Sequence, residues 1–268
     1  MKLKTFAAAL AATTIAGSAF AADLPSRKVA PAYIAPAPIF TWTGFYVGLN
    51  AGYGWGDNKY NSANGNVALA DPVTFFSVTS GSAKGNSFTG GGTVGFNYQI
   101  GMFVAGVEGD LGYLNTVGSA TRAGIATTGV LETSATAAGS KGLFGTLRGR
   151  VGLAINQFLI YGTGGLAFGN TQLSQVMALS NGNFWLGSAS SGKTGWAAGA
   201  GVEYAFTPNW SVKVEYLHVD LGSRNIAMFS PTAGNFYSVH STNRADIVRA
   251  GVNYKFGWGA PAPVVAKY

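Results

Sequence analysis

The stretch TGGGTVGFNYQIG, Thr89 to Gly101, decides the fold because its side chains alternate in character along the chain. Counted from Phe88, every second residue is either glycine or bulky and apolar, and the residues between are small or polar. The first set is Phe88, Gly90, Gly92, Val94, Phe96, Tyr98 and Ile100, and the second is Thr89, Gly91, Thr93, Gly95, Asn97 and Gln99. A period of two is typical of a β-strand, and a glycine-rich phosphate loop does not require it. We therefore interpret the three consecutive glycines as part of a strand with one apolar face.

Seven further segments alternate in the same way, so the sequence predicts eight strands in all. The predicted strands cover 44–55, 88–100, 103–113, 147–155, 158–168, 195–206, 212–216 and 248–256. The register of 158–168 stays open, because both of its faces contain large apolar residues. Three connections are only a few residues long, and the other four are long and alternate with the short ones. The short connections lie at Gly101, Asn156-Gln157 and 207–209, and the long ones run roughly over 56–86, 115–140, 170–193 and 221–243.

The alternation of short and long connections favours a membrane barrel over a soluble domain. Four loops of this length count against a compact soluble fold, whereas short periplasmic turns and long extracellular loops are typical of outer-membrane β-barrels. Hydrophobic residues make up 47% of the chain and charged residues 10%, and there are 40 glycines. No apolar run after the first 21 residues approaches the length of a spanning helix, which excludes the usual helical membrane protein.

The face opposite the aromatic residues distinguishes a barrel from a two-sheet sandwich. A sandwich would expose that face to water and carry long polar side chains there, whereas Gly, Thr and Ala predominate here and suit a narrow closed interior. Aromatic residues also fall at both ends of the predicted strands, as in the interfacial girdles of a membrane barrel. The sequence therefore predicts an all-β fold, an eight-stranded antiparallel up-and-down transmembrane β-barrel with short periplasmic turns and four long extracellular loops.

The ends of the chain predict export. Lys2 and Lys4 precede an apolar run and the triplet Ala19-Phe20-Ala21, which is typical of a signal peptide over residues 1–21 and too short for a membrane anchor. A Pro-rich periplasmic linker is expected over 22–41, the barrel over 42–256 and a periplasmic tail over 257–268. Loss of Lys2 and Lys4 lowers the formal charge from +7 to +5. An exported chain has little access to nucleic acid, so an anionic membrane surface is the expected counter-charge.

Three segments of the chain resemble a known family. They are AADLPSRK after the signal, FTWTGFYVGLNAGYGWG at the first strand and VRAGVNYKF at the last. They are similar to the small outer-membrane β-barrels of alphaproteobacteria, whose members include surface immunogens, porin-family proteins and hemin-binding proteins. Members of such families usually end on the aromatic residue of the last strand, whereas GWGAPAPVVAKY follows Phe256 here. The signal for the barrel-assembly machinery is then either internal, at Val252, Tyr254 and Phe256, or replaced by Tyr268. We favour the internal signal, because Pro261 and Pro263 argue against a strand at the end of the chain.

Charged residues on the predicted inner face are the main candidate site. They nearly balance in sign, and their positions along the strands place them in adjacent layers near the middle of the barrel. An unpaired charge there would cost several kcal/mol unless water reached it, so the charges either form a salt-bridge plug, the reading we favour, or line a wet pore. The predicted ion-pair network consists of Glu108, Asp110, Arg148, Arg150, Glu203, Lys213, Glu215 and Arg249.

Other motifs point to little chemistry. The run from Gly162 to Ala167 outlines a dinucleotide fingerprint, but no helical pattern and no ribose-binding acid follow it. In SSGKTG, Ser190 to Gly195, the two acyl-transferase motifs share Lys193, which cannot serve two separate elements. His218 and His240 are the only histidines, and hemin ligation by His240 remains open through the resemblance. We predict no catalytic residue, no metal site and no cofactor.

The sequence thus predicts a non-enzymatic protein of the cell outer membrane with a structural and surface-exposed role. A porin-like channel for small solutes and a hemin or ligand receptor are the alternatives. The expected partners are outer-membrane lipid, lipopolysaccharide and the barrel-assembly machinery, and a monomer is favoured. Lipopolysaccharide phosphates are the expected targets of basic residues in the long connections. These bases are Lys59, Lys84, Arg122, Lys141, Lys193, Arg224 and Arg244.

Overall fold

The computed structural model describes residues 40–63, 80–125, 129–232, 234 and 236–257. The predicted signal peptide, nearly all of the linker and the tail beyond residue 257 lie outside them. Within the described residues the chain forms nine β-strands. They are β1 (Gly44–Ala63), β2 (Ser80–Ile100), β3 (Phe103–Asn115), β4 (Gly118–Ile125), β5 (Leu131–Ile155), β6 (Phe158–Leu179), β7 (Phe184–Ala205), β8 (Trp210–Phe229) and β9 (Phe236–Lys255).

The strands form a single antiparallel sheet that closes on itself, as predicted for an up-and-down barrel. Their order is β3-β2-β1-β9-β8-β7-β6-β5-β4, and β3 also pairs with β5. The first and last strands are therefore neighbours, with Leu49 of β1 opposite Val252 of β9. Tight turns at Gly101 (φ 60°) and Asn156 (φ 57°) join the strands at one end. Closure satisfies the backbone groups that an open sheet would leave unpaired in lipid.

The count of nine strands corrects the predicted eight, because a further strand, β4, follows β3 after a break at Thr116 and Val117, inside a segment predicted as a long connection. The two strands, β3 and β4, both pair with β5 and follow one another along it. Backbones approach closely at this point: a Cβ on Gly85 of β2 would meet the backbone of Val117, and one on Gly139 would meet that of Thr116. The amide of Thr116 donates to the carbonyl of Ser140 at 2.8 Å. The sequence prediction missed β4 because its residues are mostly small and carry no apolar alternation.

The four long loops are the second correction, because strands continue far into the predicted loop segments. A membrane-spanning strand needs about 9–11 residues, whereas β1, β2 and β5 to β9 have 20 to 25 residues each. The connection from β6 to β7 is reduced to residues 180–183, and residues 64–79 lie outside the described chain. We call the part of the barrel beyond Trp55, Tyr113 and Trp196 the outer extension.

The outward faces of the strands are apolar between the two ends of the membrane-spanning part. Leu49, Phe88 and Val94 are 75%, 80% and 60% exposed, whereas the inward Thr93 is buried. Aromatic residues also point outward at both ends of this part. They are Phe45, Tyr98, Phe103, Phe158, Trp210 and Phe256 near the short turns, and Tyr53, Trp55, Phe88, Tyr113, Trp196 and Tyr216 near the outer extension. Within the described chain no helix is both long and apolar enough to cross a membrane.

In the outer extension, apolar side chains also point into the barrel interior. Leu173 and Met177 of β6 point inward and are buried, whereas the neighbouring Gln172 and Ser174 face outward. Water replaces lipid around this part of the barrel, so apolar side chains are more stable inside it. The resulting core consists of Tyr60, Ala83, Ala138, Leu173, Met177, Leu179, Trp185, Ile226, Met228, Tyr237 and Val239.

Candidate functional site in the barrel interior

The eight predicted charged side chains lie together in one layer of the barrel interior, which we call the charged layer. Each is on an inward position of its strand, and each side chain is at most 5% exposed. Four acids face four bases, so the layer is formally neutral. The members are Glu108 and Asp110 of β3, Arg148 and Arg150 of β5, Glu203 of β7, Lys213 and Glu215 of β8, and Arg249 of β9.

Arg148 has the most carboxylate partners within hydrogen-bond distance in this layer. Its Nη2 lies 2.6 Å from both Glu108 Oε1 and Asp110 Oδ2, and its Nη1 lies 3.0 Å from Glu215 Oε1. Arg249 contacts two of the same acids, with Nη2 at 2.5 Å from Glu215 Oε2 and 3.0 Å from Asp110 Oδ1. Three carboxylates therefore share two guanidinium groups, an arrangement in which no acid depends on a single partner.

Arg150 and Lys213 extend the ion pairs of Arg148 and Arg249 to the rest of the charged layer. Arg150 Nη2 donates to Glu203 Oε2 at 2.9 Å and its Nη1 lies 3.5 Å from Glu108 Oε2. Lys213 Nζ donates to the same Glu108 oxygen at 2.9 Å. Buried charges are tolerated when paired and hydrogen-bonded, and removing one partner leaves the other with the full cost of desolvation. All eight side chains therefore belong to one connected set of ion pairs.

Two tyrosines that the sequence prediction missed support the charged layer. The Tyr46 hydroxyl donates to Glu108 at 2.7 Å and accepts from Arg150 at 3.0 Å. The Tyr161 hydroxyl donates to Glu215 at 3.2 Å, and its ring centroid lies 3.9 Å from the guanidinium carbon of Arg150. An arginine held against an aromatic face gains a cation–π interaction. The signal in the sequence was Tyr46 itself, a large polar side chain on a face made mostly of glycine.

Hydroxyl and amide groups satisfy the remaining carboxylate oxygens. Thr93 and Thr146 donate to the two oxygens of Asp110 at 2.7 and 2.9 Å. Ser211 and Asn253 donate to Glu203 at 2.5 and 2.7 Å. Buried acceptors left without such donors would cost about 1–3 kcal/mol each. The charged layer is therefore a hydrogen-bonded network as well as a set of ion pairs.

Two glycines of the stretch from Thr89 to Gly101 face the barrel interior, and neither position has space for a side chain. A Cβ on Gly95 would lie 2.8 Å from Tyr46 Cε1 and closer still to Cζ and the hydroxyl oxygen of the same side chain, so the phenol group occupies the space that Gly95 leaves. A Cβ on Gly91 would collide with the backbone of Leu111 and Gly112 in β3. The two inward glycines therefore serve different purposes. Gly95 accommodates a tyrosine from the adjacent strand, and Gly91 permits close approach of two backbones.

An apolar layer lies between the charged layer and the short turns, and we call it the mouth layer. It includes Trp42, which precedes β1 and is 3% exposed, with Phe40 packed against it. The Trp42 amide donates to Gln99 Oε1 at 2.8 Å, and Lys255 Nζ lies 4.5 Å from the centroid of the Phe40 ring. The chain therefore folds across this end of the barrel before β1 begins. The members are Trp42, Val104, Ala154, Leu159, Tyr161 and Ala205.

A second apolar layer, the upper apolar layer, covers the charged layer on its other side. Its members are Leu114, Phe144, Ala167, Ala197, Leu217, Val219, Leu221, Ala245 and Ile247. Beyond it lies the apolar core of the outer extension. There, burial and then the nearby Glu132 carboxylate raise the pKa of Tyr237 above its usual value. That phenol therefore stays protonated and neutral throughout the physiological pH range.

The remaining predicted residues are dispersed. Val252 and Phe256 face outward, and the Tyr254 ring packs edge-on to Phe256 with centroids 5.2 Å apart, while their role in assembly stays a prediction. His218 Nδ1 lies 2.7 Å from Asp246 Oδ1, and His240 Nδ1 lies 2.6 Å from Asn225 Oδ1. The two histidines thus have separate polar partners. In the described part of the chain, no three histidine or acidic side chains cluster as metal ligands would.

The two motif fragments both lie inside strands. The run from Gly162 to Ala167 is part of β6, and SSGKTG, Ser190 to Gly195, is part of β7. Neither opens a helix, whereas a dinucleotide fingerprint requires a helix N-terminus to hold the pyrophosphate. The structure therefore agrees with the interpretation of the run from Gly162 to Ala167 as an accidental match.

Closed antiparallel strands with a lipid-facing apolar surface and inward-pointing charged side chains define an outer-membrane β-barrel protein. The chain matches the family described as outer membrane protein beta-barrel domain over residues 7–256. It is 34% identical to the 31 kDa outer-membrane immunogenic protein of Brucella melitensis, covering 95% of this chain and 100% of that protein. It is 30% identical to the 22 kDa outer membrane protein of Rhizobium leguminosarum bv. viciae, covering 82% and 80% of the two chains.

The chain belongs to the outer membrane protein beta-barrel family and lies in the cell outer membrane. The predicted resemblance to the small barrels of alphaproteobacteria is thereby confirmed. Among solved structures, it is similar to the outer membrane protein OprG of Pseudomonas aeruginosa, with 15% identity and a TM-score of 0.44 over 82% of this chain and 99% of that one.

Proposed function

We propose that this protein is a non-enzymatic structural barrel whose interior is closed to solutes and whose outer extension is presented at the cell surface. The charged layer carries the proposal. Eight buried side chains of balanced charge join β3, β5, β7, β8 and β9 across the interior. A solvated pore would leave such groups in contact with water, whereas here each side chain is at most 5% exposed.

The neighbouring layers support the same proposal. The mouth layer, with Trp42 as its largest side chain, lies on one side of the charged layer, and the upper apolar layer lies on the other. An ion would therefore meet two apolar constrictions and one fully paired set of charges in succession. Hydrophobic constrictions exclude ions by loss of their hydration water. Eight membrane-spanning segments, with β3 and β4 treated as one, also enclose an interior that side chains just fill.

Single-channel conductance tests the proposal. The refolded protein is inserted into a planar lipid bilayer at high salt, and a refolded general porin serves as the positive control. We expect no stable conductance steps after insertion, which is verified independently by the heat-dependent shift in gel mobility of the folded barrel. Regular steps in the wild-type protein would contradict the proposal and support the porin-like alternative.

A further inference from the structure

The barrel wall is interrupted in the outer extension between β7 and β8. The two strands pair from Ala205↔Ser211 up to Trp196↔Asp220, and then again only at Leu186↔Phe229. Between these points the facing edges form no ladder with each other, although each strand remains paired on its other side. Ser191 is on an inward position of β7 and is nevertheless exposed. Solvent therefore reaches the interior of the outer extension through this interruption.

A polar cleft of about 490 Å³ occupies the interruption. Arg224 of β8 points inward and is only 8% exposed. Its Nη2 donates across the cleft to Ser191 Oγ, and its Nη1 is buried without a hydrogen-bond partner. The lining is Ala189, Ser190, Ser191, Lys193, Ser223, Arg224 and Asn225.

The two cations of this cleft lack the partners that the charged layer provides. In the described part of the chain, no carboxylate lies within ion-pair distance of Lys193 or Arg224. Three serine hydroxyls and the Asn225 amide add neutral hydrogen-bonding groups beside them. A guanidinium with an unused donor, a nearby ammonium and several hydroxyls match the oxygens of a tetrahedral anion. We propose that the β7–β8 cleft binds a phosphate- or sulfate-type oxyanion.

The height of the cleft suggests where the anion comes from. Lys193 lies three residues beyond Trp196, which points outward at the outer end of the membrane-spanning part. Aromatic side chains at such positions mark the lipid headgroup level. The cleft is therefore level with the phosphate groups of outer-membrane lipid, and it is also open to free anions in solution. Both sources supply the same chemistry, and this site goes beyond the closed barrel, which does not require it.

Ligand binding to the refolded full-length protein tests the inference with two probes. The first is inorganic phosphate, followed by ³¹P line broadening with protein in zwitterionic micelles. The second is a bis-phosphorylated lipid A in nanodiscs, compared with the same lipid after removal of its phosphates. The variants are Arg224→Gln, Lys193→Gln and the double variant with both substitutions. A fourth variant, Arg224→Lys, keeps the positive charge but removes the planar guanidinium that can donate two parallel hydrogen bonds. Lys59→Gln is the comparison variant, because Lys59 is an exposed cation of the same outer extension but lies outside the cleft. If the basic residues of the long connections bound phosphate as a dispersed set, as the sequence predicts, Lys59→Gln would weaken binding as much as Lys193→Gln.

We expect the double variant to weaken binding of the effective probe by roughly tenfold or more and Lys59→Gln by less than about twofold. Binding of phosphate alone identifies a free anion, and preference for the phosphorylated lipid identifies a headgroup. Wild-type protein that broadens no phosphate line and does not distinguish the two lipids overturns the proposal, whatever the variants do. Equal binding by wild type and a folded double variant also overturns it, and would leave Arg224 with a structural role only, as a contact between β8 and β7. The conductance result for the closed interior is independent of either outcome.

Discussion

Arg148 illustrates at the residue scale why a buried charge needs a complete set of partners. Its guanidinium contacts three carboxylates, and its Nε donates to Thr146 Oγ1 at 3.0 Å, so each of its three nitrogens has a hydrogen-bond partner. The Arg244–Asp220 pair in the barrel wall has a similar N–O distance, 3.0 Å, but the Arg244 side chain is 54% exposed. The two pairs differ mainly in solvation, and solvation decides what each contributes to stability.

Replacing Arg148 by alanine is expected to lower the free energy of unfolding by about 3–5 kcal/mol, because it leaves buried carboxylates with surplus negative charge. The matched change Arg244→Ala removes an exposed partner and is expected to cost about 0–1 kcal/mol. Urea titration of both refolded variants, monitored by tryptophan fluorescence, measures the difference. Equal losses in the two variants would show that the charged layer is no more tightly coupled than a surface pair.

At the scale of a strand, β2 shows how glycine serves two different faces. Gly95 faces inward, where the Tyr46 ring occupies the position of its missing side chain. Gly92 faces outward, and a Cβ there would meet only one atom within 4 Å, the Gly48 carbonyl oxygen at 3.8 Å. Tyr46 has little freedom to move away, because its hydroxyl is held by Glu108 and Arg150. A glycine-to-alanine substitution is therefore expected to be costly at Gly95 and tolerated at Gly92, three residues away.

Gly95→Ala is expected to destabilise the barrel by about 1–3 kcal/mol through overpacking, whereas Gly92→Ala is expected to remain within about 0.5 kcal/mol of wild type. Chemical unfolding of each single variant measures these values. In a Tyr46→Ala background the cost of Gly95→Ala should largely disappear, which a double-mutant cycle detects. An additive cycle would place the strain somewhere other than the Tyr46 ring.

At the scale of the whole barrel, one continuous set of strands passes through two solvents. Within the lipid the apolar side chains point outward, and in the outer extension residues such as Leu173 and Met177 point inward to form a core. The long segments therefore behave as a folded sheet with its own apolar interior. This arrangement holds the outer extension in a defined shape, in contrast to the long loops that the sequence predicts.

Hydrogen exchange is expected to detect this order. Backbone amides of residues 131–140 and 171–179, which pair between β5 and β6, should exchange at least about a hundredfold more slowly than those of the Asn156-Gln157 turn. Mass spectrometry of peptides from the refolded barrel in lipid measures both regions in one sample. Exchange in 131–140 and 171–179 as fast as in the turn would show that these segments are loops, as the sequence predicts.

The parts of the fold that the sequence predicted are those that depend on local alternation. In TGGGTVGFNYQIG the period of two identified a strand, and the pleat of a strand then determines which residues share a face. The same parity assigned Glu108, Arg148 and the other charged residues to the interior. The strand prediction failed in 115–140 and 170–193. Apolar side chains in these segments also point into the barrel interior, and small residues weaken the alternation.

The strand-forming segments, the lipid-facing side chains and the neutral balance of the inward charges can be predicted from the sequence alone, because each follows from composition and from the geometry of a single strand. Which partners meet depends on the folded barrel. Glu108 contacts Lys213 across 105 positions of sequence, Tyr46 enters the space beside Gly95, and β7 separates from β8 to form the cleft at Arg224. These contacts depend on register and on closure between β3 and β5, and both are set by the packing of the whole barrel.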